Sequence, residues 1–145
     1  MLHAERVITI DAPVEKVFSF ISHASNSVKW RLLVINISLR SGEEGEVGAV
    51  YFQQIISPLG RVIKGVYTIT KIEKDKLIEF AVVIGPANVF GKFEMESVGK
   101  GTKLKFSVDL PVRGLRVWLL RKRIQQLMYD EMYNFDRLKY ILENT

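Results

Sequence analysis

The sequence predicts an α+β chain in which a curved antiparallel sheet of about seven strands wraps around a long C-terminal helix, with two short helices after the first strand. Three observations predict it. Between Leu32 and Leu110 apolar residues recur with period two and are punctuated by turns bearing glycine, proline or clustered charge, the mark of successive strands. Those turns are short, which favours antiparallel neighbours, because parallel strands need long crossovers. From Val117 onward the period changes: Val117, Leu120, Ile124, Leu127, Met128, Phe135, Leu138 and Leu142 fall on one face of a helix. An antiparallel sheet buries one face, and the helix stripe must pack on it. Thirty helical residues at ~1.5 Å each span about 45 Å, longer than most strands, so the sheet has to curve around the rod.

Taken in order, Leu2 to Ile10 reads as a strand through Val7, Ile8 and Ile10. Asp11 suits a helix cap, Pro13 the first turn and Glu15 the positive end of the helix dipole. That helix continues through Val14, Val17, Phe18 and Ile21 and fades near His23; a shorter one covers about Ala24 to Trp30. Leu33, Ile35, Ile37 and Leu39 then alternate with Val34, Asn36, Ser38 and Arg40. Gly42, Gly45 and Gly48 bracket a polar turn. Strands follow at Val47–Ser57, Arg61–Lys74, Leu77–Ile84, Asn88–Val98 and Thr102–Leu110, and Pro111 stops the last. In the last strand Leu104, Phe106 and Val108 share one side; in the one before it Phe93 and Met95 do, opposite Glu94 and Glu96. Residues 1–145 are expected to form one domain, with no linker, repeat or low-complexity stretch.

One residue departs from the pattern. At roughly 100° per residue, Glu131 falls near the middle of the long helix's apolar face. A carboxylate there is costly without a partner or water. Either the helix covers a cavity, or Glu131 pairs with a Lys, Arg or Tyr at the rim of a slightly rotated helix.

Composition narrows the functional classes. The chain is 48% hydrophobic and 26% charged, which is globular composition. It has no cysteine, which excludes disulfides and thiolate metal sites. His3 and His23 are the only histidines, so a multi-histidine metal site is not expected; no cofactor is expected either. The start MLHAERVITI lacks the regions of a signal peptide, and no run approaches the ~18 apolar residues of a membrane span, so a cytoplasmic protein is expected. The sequence carries no G-x-S-x-G, H-E-x-x-H, Walker or G-x-G-x-x-G motif. The two short helices are laid out like a helix-turn-helix, but the second has only Lys29 as a basic residue, a poor fit to nucleic acid. Of the net charge of +5, a part is concentrated at Arg113, Arg116, Arg121, Lys122 and Arg123, with no acid among them. This run is either a solvated face or a surface for anionic partners, including a peripheral membrane contact. Trp118 lies off the apolar stripe and offers a contact to a loop or a partner; monomer and homodimer both stay open.

Order and residues together resemble the START-like, SRPBCC superfamily, the helix-grip proteins that include the birch pollen allergen and polyketide cyclases. The resemblance spans nearly the whole chain. Its carriers are Ile10-Asp11-Ala12-Pro13-Val14-Glu15-Lys16-Val17-Phe18, Trp30, Gly45-Glu46-Val47-Gly48, Gly99-Lys100-Gly101-Thr102-Lys103-Leu104 and the terminal helix around Leu138-Lys139. It implies a cavity between sheet and helix that takes a lipid or another apolar small molecule, with Trp30 near its edge. The expected pocket wall is Tyr51 or Phe52, with Tyr67, Ile69, Phe80, Val82, Phe93, Met95, Leu104, Phe106, Ile124, Met128 and Phe135. Glu131 and a tyrosine, or the Gln53 amide, would orient one polar group. An alternative is a cyclase or dehydratase with Glu131 as acid or base; a third reading is an interaction module docking through Arg113–Arg123.

Overall fold

The computed structural model describes residues 1–145. Strands β1 (Leu2–Ile10), β2 (Val34–Ser41), β3 (Val50–Ile56), β4 (Val62–Glu73), β5 (Leu77–Ile84), β6 (Ala87–Val98) and β7 (Gly101–Leu110) form one sheet. Its order is β1-β7-β6-β5-β4-β3-β2. Every neighbouring pair is antiparallel. Helices α1 (Val14–Ser22) and α2 (Ser27–Trp30) follow β1, and the C-terminal segment forms α3 (Leu115–Glu131) and α4 (Asn134–Glu143). The architecture is the helix-grip fold that the alternation and the final stripe predict.

Register turns alternation into one buried face. Phe93 stands opposite Phe106, and Met95 opposite Leu104; all four are buried, whereas Glu94 and Glu96 look away from the core. Phe52 is on the outer face, 45% exposed beneath the Arg40 guanidinium, which leaves Tyr51 and Gln53 inward. Gly91 lies inward on β6, and a Cβ there would fall 2.3 Å from the Phe80 ring across the strand pair. Glycine at this position lets the ring lie against bare backbone.

Two local expectations change. Asp11 does not cap α1 with its side chain; Pro13 occupies the cap position, and the Asp11 N–H donates to Glu143 at 2.7 Å. The regular alternation expected of β2 is interrupted by irregularities between Val34 and Asn36 and between Leu39 and Ser41, which leave Val34 buried and Ile35 exposed.

The terminal rod is bent. At Met132 and Tyr133 the N–H groups bond carbonyls three residues back, Tyr129 and Asp130, and those of Phe135 and Asp136 do the same to Met132 and Tyr133. This is a tighter winding than the α-helix. Arg6, half-buried on β1, donates to the Met132 carbonyl at 2.7 Å and pairs with Asp136, so a residue far away in sequence holds the bend. Beyond it α4 is locked down. Phe135, Leu138 and Leu142 are buried to 2% exposure or less. Lys139 reaches the Thr9 carbonyl, and Lys16 donates to the Leu142 carbonyl at 2.8 Å.

Candidate functional site

The bend divides the space inside the grip. Under α4, Phe135 packs edge-on to Trp30 at 5.0 Å between ring centres and lies 4.8 Å from Phe106, which is 4.8 Å from Phe93. This half is dry core. Under α3 the stripe residues Leu120, Ile124 and Leu127 are only half-buried, because the sheet does not rise to meet them. A cavity of about 730 Å³ lies there. That volume is within the range of small-molecule sites.

The cavity has three walls. α3 supplies Val117, Leu120, Ile124, Leu127, Met128 and Glu131. The sheet supplies Gln53 and Ile55 from β3, Phe80, Val82 and Ile84 from β5, Val89 from β6, and Val108 and Leu110 from β7. The α2–β2 junction supplies Arg31, Leu33 and Val34. The mouth lies between the β3–β4 turn and the start of α3, where the lining residues Leu59 and Leu119 are 58% and 62% exposed. Arg61, Lys64 and Arg116 stand beside them.

Of the residues proposed from sequence, the structure brings Phe80, Val82, Ile124, Met128 and Glu131 together on the cavity walls. It places Trp30, Tyr67, Ile69, Phe93, Met95, Leu104, Phe106 and Phe135 in the buried core beside the cavity. Tyr51 is committed elsewhere: its hydroxyl accepts the Gly45 N–H at 3.1 Å and holds the β2–β3 turn. Burial first, and then the neighbouring Glu44 carboxylate, push its phenol up to about 12. Tyr67, stacked on Phe80 at 4.8 Å, is raised further by complete burial, with Arg31 acting in the opposite sense.

Away from the polar residues at the mouth, three polar side chains line the cavity. Glu131 is half-buried there and has no ion-pair partner in the chain, so the rim pairing considered from sequence does not form. The Gln53 side chain is 7% exposed and lies against Gly65, where a Cβ would come within 3.3 Å of its amide nitrogen. The third, Arg31, escaped the sequence reading. It ends α2 with extended backbone (φ −100°, ψ 111°), so Trp30 enters the dry core while Arg31 enters the cavity. Its guanidinium lies 5.2 Å from the Trp30 ring, 5.7 Å from Phe106 and 5.9 Å from Phe80, with no carboxylate partner. Aromatic faces stabilise a cation without using its hydrogen-bond donors. The donors therefore stay free for an oxygen on a guest. The sequence signal was a cation directly after the tryptophan and before an apolar run.

A curved antiparallel sheet closed on a C-terminal helix, hollow on one side of a bend, defines the class of helix-grip proteins with an internal cavity. Residues 1–139 match the family model described as polyketide cyclase/dehydrase and lipid transport, and the chain belongs to that family. In structure it is similar to the Zhui aromatase/cyclase of Streptomyces sp. R1128, with a TM-score of 0.82 and 11% identity over 97% of this chain and 93% of that one. A conserved protein of Geobacillus kaustophilus gives a TM-score of 0.78 at 15% identity, covering 97% of this chain and 95% of that one. A START superfamily protein of Mycobacterium smegmatis gives 0.74 at 12% identity, covering 99% and 98%. At these identities the likeness shows the fold. No curated protein sequence matches the chain.

Proposed function

We propose that this protein binds and carries an apolar small molecule or lipid whose one polar end, an anionic or strongly polarised oxygen group, is received by Arg31. The observation that carries the reading is the 730 Å³ apolar cavity with an unpaired guanidinium in its wall. Apolar burial supplies affinity at ~0.8 kcal/mol per methylene, and the charged hydrogen bond supplies orientation at ~1.5–3 kcal/mol. Met128 adapts to the guest's shape, since an unbranched thioether repacks easily. The test is displacement of a fluorescent fatty-acid analogue by a fatty acid and by the alcohol of the same length. Arg31→Met should weaken the acid about tenfold or more and leave the alcohol nearly unchanged. No displacement of the analogue by either at micromolar concentration removes the reading.

The position of Glu131 supports a second reading, a cyclase or dehydratase in which this carboxylate moves a proton while Arg31 and Gln53 hold an oxygen of the substrate. Glu131→Gln should then keep binding of the fatty-acid analogue and lose turnover of an aromatisable polyketide by at least about a hundredfold. Unchanged turnover in that variant would leave only the carrier.

A further inference from the structure

We infer that the mouth of the cavity docks on an anionic lipid bilayer, with the first turns of α3 lying in the interface. Three observations converge on this surface.

The first is apolar exposure on a helix face that has no partner in the fold. While Val117, Leu120 and Ile124 look into the cavity, Leu115 and Trp118, three apart, turn away from it on α3, and Leu119 lies at its rim. They are 70%, 49% and 62% exposed. The start of α3 is thus apolar on both sides, though only one side has anything to pack against. Across the mouth, Leu59 and Val62 from the β3–β4 hairpin are 58% and 56% exposed.

The second is charge. The segments that form the mouth, residues 54–64, 84–89 and 110–124, contain no aspartate or glutamate. They carry Arg61, Lys64, Arg113, Arg116, Arg121, Lys122 and Arg123. Arg113 and Arg116 flank the start of α3, the end of the dipole that disfavours cations, the first turn carries no acid, and none of the seven cations pairs with a carboxylate of the chain. Intramolecular electrostatics therefore do not account for it. An external anionic surface does. The Arg121 guanidinium lies 4.3 Å from the centre of the Trp118 ring, a pairing that suits the headgroup layer, where an indole has an apolar body and a wet edge.

The third is position. Leu119 and Arg116 belong both to this surface and to the cavity rim. A bilayer held there faces the opening, so an apolar guest can pass between membrane and cavity without crossing water. Nucleic acid would match the charge and not the exposed leucines; a bilayer matches both.

The experiment is vesicle flotation of the full chain with phosphatidylcholine alone and with added phosphatidylglycerol, at low and high salt. Binding should require the anionic lipid and fall with salt. At about fivefold per basic residue near an anionic membrane, the double variant Arg121→Glu, Arg123→Glu should lose about 30-fold or more. Leu115→Ser with Trp118→Ser should weaken binding at every salt concentration. None of these four residues lines the cavity, so both variants should bind the fatty-acid analogue as the parent does, which separates failure of docking from failure of the carrier reading. Equal binding to neutral vesicles, no binding to either kind, unchanged binding after charge reversal, or capture by duplex DNA in place of vesicles would each overturn the inference.

Discussion

Phe135→Ala should destabilise the protein by about 3–5 kcal/mol, the range for truncating a buried phenylalanine. The ring is 2% exposed and is held by Trp30 at 5.0 Å, Phe106 at 4.8 Å and Phe93 at 6.3 Å. Its loss removes transfer free energy and three aromatic contacts, each worth ~0.5–1.5 kcal/mol beyond burial. Neighbours cannot collapse into the gap easily. Arg137 on α4 donates to the Lys29 carbonyl at the end of α2 at 3.0 Å, and Arg6 holds the bend on the other side, so α4 is pinned at its distance from the sheet. The measurement is urea unfolding: the midpoint should fall with the slope unchanged, and the melting temperature by roughly 10–20 °C at ~3–4 °C per kcal/mol for a chain of this size. A loss under about 1 kcal/mol would mean that α4 does not anchor a dry core.

What the residues announced in advance, and what they did not, follows the same division. Alternation identifies which side chains of a strand look inward, and it did so for Leu104, Phe106, Phe93 and Met95, all buried. Periodicity also found the misfit of Glu131 in an apolar stripe, and the structure puts that carboxylate on a cavity wall. Neither signal states how far the opposing helix stands from the sheet. That distance depends on the bend at Met132–Tyr133, fixed by Arg6 on the first strand, a contact spanning nearly the whole chain. Without the bend, every inward aromatic looks equally fit to line a pocket. With it, Phe80 and Val82 do, while Phe93 and Phe106 belong to the dry core. Arg31 was invisible for another reason: it lies at a helix–strand junction, where neither period applies and the side chain's direction is set by one residue's dihedral angles. Tyr51 shows a further limit. The alternation left Tyr51 and Phe52 as alternatives for the inward position, and the commitment of the Tyr51 hydroxyl to Gly45 depends on how the β2–β3 turn folds back.

Ile124→Trp should act oppositely to Phe135→Ala. Ile124 is half-buried on α3, packs at one side against the core and lines the cavity, so an indole in its place extends into the cavity. In a close-packed core such an enlargement costs ~1–3 kcal/mol through strain and displaced neighbours. Here the ring enters a cavity whose other walls carry Val82, Val89 and Val108, so it has room to gain contacts without displacing neighbours, and the unfolding midpoint should hold or rise. The guest loses the room that the ring takes. Affinity for the fatty-acid analogue should drop at least about tenfold, equivalent to ~1.4 kcal/mol, and more for longer chains than for shorter ones, because the obstruction shortens the cavity rather than altering its polar end. The two substitutions thus separate the halves of the grip, stability lost without loss of volume in one and volume lost without loss of stability in the other. If Ile124→Trp instead unfolds at a denaturant concentration lowered in proportion to ~1–3 kcal/mol and leaves binding intact, the space beneath α3 closes in solution and the guest, if any, sits elsewhere.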